Sequence, residues 1–256
     1  MIDVGMESIE NIQKMAVMGF VEIIWHLSFF RDLANKVLDE IDNYQPRQII
    51  LIDYPGFNLR LAKKIKESFD IPITYYISPQ IWAWKENRIE IIRKYIDQML
   101  VIFPFEENWY IERGISVKFV GHPIFDEWAP TSKEKLCRQL NLKPEKPIIT
   151  LYPGSRNQEV NRHLPILLQT VDKLRTDNPL IQFILGVAQN INIEKRQIPS
   201  WIQIENKHPQ KALECADLAL VASGTSTLEA AVFGTPMIII YKMDPISWLV
   251  SQAIVN

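Results

Sequence analysis

The chain contains 256 residues, of which 47% are hydrophobic and 23% are charged. Its length and apolar content are sufficient for a sizeable core and fit two domains of ordinary size. The formal net charge of −2 and the scattered basic residues give no electrostatic footprint for nucleic acid, so a nucleic-acid partner is not expected.

The cysteines and the apolar segments indicate the compartment. Cys137 and Cys215 are far apart in the sequence and lack CxxC spacing, which fits a reducing compartment and argues against a disulfide framework or a structural zinc site. The sequence shows no cleavable signal pattern and no uninterrupted apolar run long enough to span a bilayer. We therefore expect a cytoplasmic protein.

An almost uninterrupted apolar segment, MAVMGFVEIIWHLSFF, covers residues 15–30. It predicts a helix that is apolar nearly all round, and such a helix is usually buried in a core. Contact between its aromatic side chains and a membrane surface is the alternative, and Arg31 and Lys36 nearby would suit anionic headgroups. The sequence leaves both interpretations open.

Short apolar runs in the first half predict the strands of a parallel sheet, at residues 48–52, 73–77, 99–103 and 117–120. Asp53 directly follows the first run, at the strand end where open α/β sheets place their ligands. It is the candidate general base of this half. The alternative is an aspartate that only shapes the turn at residues 54–56.

Polar and aromatic residues follow the later strands of this half. Ser78 and Pro79 come after the second strand and suit the start of a helix. Trp82 and Trp84 are candidates for a wall that contacts a sugar or an acyl chain, with simple packing as the alternative. His122, after the fourth strand, is either a hydrogen-bonded residue between domains or a catalyst.

The composition of the sequence changes between Asp126 and Pro147. Three prolines and a short charged helix in this segment resemble a linker that enters a second domain. The second domain is predicted to begin with a strand at 148–152, followed by a glycine turn that carries Ser155 and Arg156. The guanidinium of Arg156 is predicted to bind a diphosphate as a fork, with Ser155 beside it. An ordinary surface arginine is the alternative.

Residues 216–242 predict a strand, a polar turn, a helix and a second strand, which together form a βαβ module. Thr225, Ser226 and Thr227 lie where the helix should begin, so backbone and side-chain donors converge on a spot that suits a phosphate. Glu229, one turn into the helix, is predicted to accept hydrogen bonds from the hydroxyls of a ribose. The structural alternative is a capping box, because Ser226 and Glu229 have its spacing.

Strand and helix alternate through both halves, which predicts an α/β fold of two Rossmann-like domains with a cleft between them. We divide the chain into an N-terminal domain (1–128), a linker (129–146) and a C-terminal domain (147–256). Residues 1–14 do not open as a doubly wound domain does, and little follows the last predicted strand. The first and last elements are therefore expected to be missing.

Several strings at these positions resemble the lipid-A-disaccharide synthase family, the inverting glycosyltransferases of lipopolysaccharide biosynthesis. They run in family order across nearly the whole chain: Ala16-Val17-Met18-Gly19, Asp53-Tyr54-Pro55-Gly56-Phe57-Asn58, Ser78-Pro79 with Trp82-Ala83-Trp84, Phe103-Pro104-Phe105-Glu106, Gly121-His122, Pro153-Gly154-Ser155-Arg156 with Glu159, and Ala222-Ser223-Gly224-Thr225 with Leu228-Glu229. Together they are specific, whereas the hydroxyl-rich turn alone indicates only a sugar-nucleotide transferase.

The resemblance implies a GT-B fold, with acceptor and membrane contacts on the N-terminal half and UDP on the C-terminal half. The implied reaction joins UDP-2,3-diacylglucosamine to 2,3-diacylglucosamine 1-phosphate through a β-1,6 bond, with inversion, release of UDP and no metal or other cofactor. Asp53 would be the base for the acceptor hydroxyl, Arg156 and residues 225–227 would stabilise the leaving diphosphate, and Glu229 would hold the ribose.

The resemblance also implies a cytoplasmic enzyme bound peripherally to the inner membrane, with helices that return to the N-terminal domain or are exchanged in a homodimer. Two departures qualify it: the acidic loop after the family's first strand and the family's C-terminal segment are absent, so we expect a chain truncated at both ends. Two alternatives follow. One is another GT-B enzyme of UDP-sugars, either an epimerase or a glycan transferase, and the other is an inactive fragment that binds UDP or a membrane.

Overall fold

A computed structural model of the protein describes residues 5, 7–10, 27–83, 86–193 and 196–243. The chain divides into two compact units, Met1–Asp126 and Glu127–Asn256. Most of the predicted apolar helix at 15–30, the string at 16–19 and Trp84 lie outside the described residues.

The described part of the first unit is a parallel sheet with helices between its strands. The strands are β1 (Ile49–Ile52), β2 (Ile73–Tyr76), β3 (Gln98–Val101) and β4 (Val117–Phe119), in the spatial order β1-β2-β3-β4. The helices are α1 (Leu27–Tyr44), α2 (Pro55–Ser68), α3 (Ile89–Tyr95), α4 (Pro104–Ile111) and α5 (Ile124–Glu127). Every strand lies within two residues of its predicted position, because a strand buried in a parallel sheet is a continuous apolar run.

Helix α2 begins at Pro55. Pro55 occupies its first turn, where the fixed φ of proline is already helical and its missing N–H costs nothing. Leu59, Ala62 and Ile65 are buried against the sheet at helical spacing. Ile50 of β1 is 60% exposed, and no described residue covers that face of the strand.

The described part of the second unit is a parallel sheet with a reversal in its strand order. The strands are β5 (Ile148–Tyr152), β6 (Gln182–Gly186), β7 (Ile202–Glu205), β8 (Leu218–Ala222) and β9 (Met237–Ile240), in the spatial order β7-β6-β5-β8-β9. The helices are α6 (Lys133–Gln139), α7 (Asn157–Asp177), α8 (Gln210–Glu214) and α9 (Thr225–Val232). After β5 the chain builds outward on one side through β6 and β7, then crosses to the other side for β8 and β9. The crevice at such a reversal is the usual ligand site of an open α/β sheet.

Helix α7 is long, with 21 residues. Its first turn is polar and Pro165 lies inside it, two features that disfavour a helix in a sequence pattern. The helix nevertheless continues through Pro165 because Val160, Leu164, Leu167 and Val171 form one buried face against the sheet.

Helix α6 lies within the segment 129–146 that the sequence assigns to a linker. Leu136, Cys137 and Leu140 are buried in one cluster with Ile148 of β5 and Cys215. These contacts assign α6 to the second unit. The functional division of the chain into domains stays a prediction.

A close contact joins two strands near the carboxyl edge of the second sheet. Gly186 ends β6, and a Cβ atom built on it would lie 2.1 Å from the Tyr152 ring at the end of β5. No side chain fits at that distance, so the ring of Tyr152 occupies the space that any other residue at position 186 would need.

Candidate functional site

Two turns with anion-binding character meet at the strand reversal of the second unit. We call residues 153–156, after β5, the arginine turn and residues 223–227, after β8, the hydroxyl turn. β5 and β8 are hydrogen-bonded neighbours whose last paired residues are Tyr152 and Val221. The two turns therefore leave adjacent strands at the same sheet edge, where the sequence predicts the diphosphate site.

A glutamate that sequence reasoning did not place in the site organises the arginine turn. Glu159, at the third position of α7, accepts hydrogen bonds from the amides of Ser155 (3.0 Å) and Arg156 (3.3 Å). Its second oxygen accepts from the Arg156 guanidinium at 2.7 Å. Gly154, at φ +118°, passes so close that an added Cβ would lie 2.6 Å from this carboxylate. The turn is thus fixed by its own anion, and the Arg156 side chain remains 51% exposed.

The hydroxyl turn starts its helix differently from the capping-box alternative. Gly224 is the N-cap of α9, and the Ser226 hydroxyl donates to the carbonyl of Ala222 at 3.5 Å. The Thr227 hydroxyl donates to the carbonyl of Gly224 at 2.7 Å. The capping-box alternative for Ser226 and Glu229 is therefore wrong. Because the amides of the first helical turn have no intrahelical acceptor, those of Thr225 and Ser226 remain suited to an anion.

Glu229 lies one turn inside α9 and is partly buried. Burial raises the pKa of its carboxyl above the ordinary value. Burial raises the pKa of the Tyr152 phenol as well, and the negative charge of Glu229 raises it further. The structure thus places Arg156, Ser155, Thr225, Ser226, Thr227 and Glu229 in two turns and one helix at a single sheet edge.

In the first unit, Asp53 lies at the carboxyl end of β1 in an unusual turn. Asp53 and Tyr54 are consecutive non-glycine residues in the left-handed region, with φ of 45° and 48°. The carbonyl oxygen of Asp53 accepts from the Asn58 amide at 2.7 Å and from the Tyr75 hydroxyl at 2.6 Å. These two buried side chains stabilise a backbone that would otherwise be strained, and the side chain of Asp53 is exposed.

A second glutamate missed by sequence reasoning lies under the neighbouring strand ends. Glu106, in α4, is 1% exposed and accepts from the Ser78 hydroxyl (2.6 Å), the Trp82 indole (3.1 Å) and the Phe103 amide (3.1 Å). The predicted helix start at Ser78 is wrong, because residues 78–80 are irregular, residues 81–83 form a turn, and the hydroxyl donates to Glu106.

Aromatic rings cluster at this edge. The ring of Phe105 is 5.0 Å from Trp82 and 5.9 Å from Phe103, which in turn is 5.7 Å from His122. Nδ1 of His122 accepts from the amide of Ile124 at 3.1 Å, so the histidine caps a short helix. His122 and Asp53 follow opposite edge strands of the described sheet, about 14 Å apart at the usual strand spacing, so the structure does not bring them together.

The described residues offer neither a cluster of metal ligands nor a helix that could span a membrane. No group of three histidine, cysteine, aspartate or glutamate side chains in the described part of the chain could hold a metal ion. Among the helices that the structure describes, none is both long enough and apolar enough to cross a bilayer.

Solved structures share the fold at low sequence identity. The MnaA–UDP co-structure of Staphylococcus aureus has a TM-score of 0.60 and 11% identity, covering 88% of this chain and 66% of that one. UDP-GlcNAc 2-epimerase from Methanocaldococcus jannaschii has a TM-score of 0.53 and 14% identity, covering 88% of this chain and 69% of that one. These likenesses confirm the predicted GT-B fold class.

Sequence relatives are much closer. A lipid-A-disaccharide synthase of Coxiella burnetii (strain Dugway 5J108-111) is 39% identical over 259 residues, covering 100% of this chain and 69% of that protein. Lipid-A-disaccharide synthase 1 of Legionella pneumophila (strain Paris) is 41% identical over 256 residues, covering 97% of this chain and 66% of that protein. The family model described as lipid-A-disaccharide synthetase matches residues 1–256. The chain therefore belongs to the lipid-A-disaccharide synthetase family.

Proposed function

We propose that this chain takes part in the glycosyl transfer that makes the lipid A disaccharide, from UDP-2,3-diacylglucosamine to 2,3-diacylglucosamine 1-phosphate. Family membership supports this reaction. The observation that carries it is the pairing of the arginine turn with the hydroxyl turn at the strand reversal, because a nucleotide diphosphate needs both cationic and amide donors at one spot. The likeness to epimerases concerns the fold alone.

The second unit is proposed to bind UDP. The exposed guanidinium of Arg156 and the Ser155 region would contact one side of the diphosphate, and the first-turn amides and hydroxyls of residues 225–227 the other. Glu229 would accept from the ribose hydroxyls. As the bond between the anomeric carbon and the diphosphate breaks, negative charge grows on the diphosphate, and these donors would stabilise it.

The first unit is proposed to supply the base. As the acceptor 6-hydroxyl forms its bond to the anomeric carbon, its proton would pass to the Asp53 carboxylate, and attack from the face opposite the leaving UDP would give the β-linkage. The exposed side chain and the fixed backbone of Asp53 support this role. Ser78, Trp82, Trp84 and His122 would lie on the acceptor side, Ser78 acting through Glu106, which fixes Trp82.

The cellular setting is part of the proposal. The acyl chains of both substrates would keep the protein at the cytoplasmic face of the inner membrane as a peripheral enzyme, and the exposed Trp82 and Phe105 suit contact with acyl chains. A homodimer remains a proposal based on the family resemblance.

Calorimetric titration of this chain with UDP tests the nucleotide site. We expect saturable binding that Arg156→Ala weakens by about tenfold or more, since a charge-assisted bond to the diphosphate is lost. Lys146→Ala, which removes a lysine in the preceding loop, is the matched charge control and should leave UDP affinity unchanged. Equal UDP affinity for the Arg156 variant and the wild type would remove arginine from the site.

A transferase assay tests the reaction itself. Radiolabelled diacylglucosamine 1-phosphate and the UDP donor are incubated in detergent with this chain and with a version extended to the length of the Coxiella burnetii relative. We expect a disaccharide product from the extended version. Release of UDP without a disaccharide from either protein would contradict the proposed acceptor.

A further inference from the structure

A buried histidine that belongs to neither turn connects them. His163 lies on the inner face of α7 and is 1% exposed. Its Nδ1 is 2.8 Å from the carbonyl oxygen of Pro153, the first residue of the arginine turn. The amide of Lys242, just beyond β9, donates to its Nε2 at 2.9 Å.

These two partners determine the state of the ring. A backbone amide can only donate, so Nε2 of His163 must accept and carries no proton. A carbonyl oxygen can only accept, so Nδ1 must carry the proton and donate. His163 is therefore a neutral imidazole in one tautomer, with both nitrogens engaged in a buried place, which makes it a rigid connector.

The connection continues from β9 to the hydroxyl turn. The amide of Ser223, the first residue of that turn, donates to the carbonyl of Ile240 at 3.0 Å. One path of contacts thus runs from Pro153 through His163 and Lys242 to Ile240 and Ser223. It spans the ends of β5, β8 and β9, and β8 lies between the other two strands.

We infer that His163 is a positioning residue for nucleoside diphosphate binding, which holds the arginine turn and the hydroxyl turn at the spacing that the diphosphate requires. This inference rests on the proposed UDP site. Without the imidazole, the end of β5 and the end of β9 lose their shared partner, and the ligand must order the two turns as it binds. Part of the binding free energy is then spent on that ordering, so the affinity falls.

Two substitutions separate the two contacts. In His163→Asn the side-chain amide nitrogen can occupy the place of Nδ1, so the bond to Pro153 can be kept while the bond to Lys242 is lost. In His163→Gln the longer side chain can place its oxygen near Nε2, so the bond to Lys242 can be kept while the bond to Pro153 is lost. His163→Phe keeps the ring volume and removes both bonds.

The experiment is titration of this chain with UDP, at a temperature where circular dichroism shows every variant fully folded. We expect His163→Phe to weaken UDP binding at least about fivefold, the lower end of usual coupling effects, and Asn and Gln to weaken it less. Because His163 acts through the arginine turn, Arg156→Ala should cost less affinity in the His163→Phe background than in the wild type. If His163 only stabilised the fold, the losses of UDP affinity caused by the two substitutions would be additive.

Thr235→Val is the matched control. The Thr235 hydroxyl is buried and donates to the carbonyl of Leu213 at 2.7 Å. Thr235 precedes β9, whereas Lys242, the partner of His163, follows it. This variant should lower the melting temperature without changing UDP affinity. Unchanged UDP affinity in folded His163→Phe would overturn the inference and leave the proposed function intact. If the wild type binds no UDP, the proposed nucleotide site fails, and the inference fails with it.

Discussion

Removal of the Glu106 carboxylate should destabilise the first unit by several kcal/mol. In Glu106→Ala, the buried Ser78 hydroxyl and the Phe103 amide lose their acceptor, and each such donor costs about 1–3 kcal/mol. The third donor, the Trp82 indole, costs less because this residue is 37% exposed. The two larger losses sum to about 2–6 kcal/mol, which is a large part of the stability of a typical domain.

Glu106→Gln should fall between the wild type and Glu106→Ala. Its amide oxygen can still accept from Ser78, but its NH₂ group meets the donating amide of Phe103, so about 1–2 kcal/mol is lost. The ranking therefore distinguishes loss of an acceptor from loss of side-chain volume.

Thermal unfolding followed by calorimetry measures the effect. With two compact units, two transitions are expected, and the second unit serves as an internal reference. The transition of the first unit should fall by about 10 °C in Glu106→Ala, and the other should not move. Glu107→Ala, which removes one exposed bond to the amide of Phe119, should cost less than about 1 kcal/mol. Glu106→Ala with wild-type stability would refute the reasoning.

Three other predictions concern carboxylates and a thiol. Burial raises the pKa of Asp97, but hydrogen bonds from the Ile73 amide and the Lys66 ammonium outweigh burial and leave the pKa below its ordinary value of 3.8. The ionised carboxylate therefore stabilises the first unit above pH 3.8, and this stabilisation is lost as the pH falls below that value. Asp97→Asn should therefore lower the stability of the first unit at pH 7 by about 1 kcal/mol and make that stability depend less on pH in acid. Denaturation midpoints that match the wild type across about pH 2–7 would contradict this. Burial, and then the neighbouring cysteine, raises the pKa of Cys215 to about 12, so a thiol reagent should label it only upon unfolding, as mass spectrometry can test. Asp53→Asn in the extended chain should reduce turnover by about 100-fold or more while UDP affinity stays constant, and a near-normal rate would exclude Asp53 as the base.

The sheet and the site edges could be predicted because their signals are local. An apolar run of four or five residues followed by a polar turn predicts a buried parallel strand and the end where a ligand site is expected, as for β5 with Arg156 and β8 with Thr225. Helix α3 was not predicted, because its short, charged sequence, IEIIRKY, has too few turns to show a clear period.

Other parts of the site could not be predicted, because their partners are distant in the sequence. Glu106 reaches Ser78 across 28 residues, and His163 reaches Lys242 across 79. The sequence alone does not show whether a glutamate or a histidine in a helix faces water or a buried donor. The capping-box alternative failed for another reason. Ser226 and Glu229 have the correct spacing, but the N-cap of α9 is Gly224, so Ser226 already lies inside the helix.

The contact between Gly186 and Tyr152 has a consequence for how this sequence can diverge. Since the ring fills the volume that a side chain at position 186 would need, the two positions should vary together, with a side chain at 186 accompanied by a smaller residue at 152. The charge of Glu229 also raises the pKa of the Tyr152 phenol, so loss of that phenol would change the electrostatic surroundings of the carboxylate. Under the proposed role of Glu229 at the ribose, divergence at position 186 would then change the affinity for UDP.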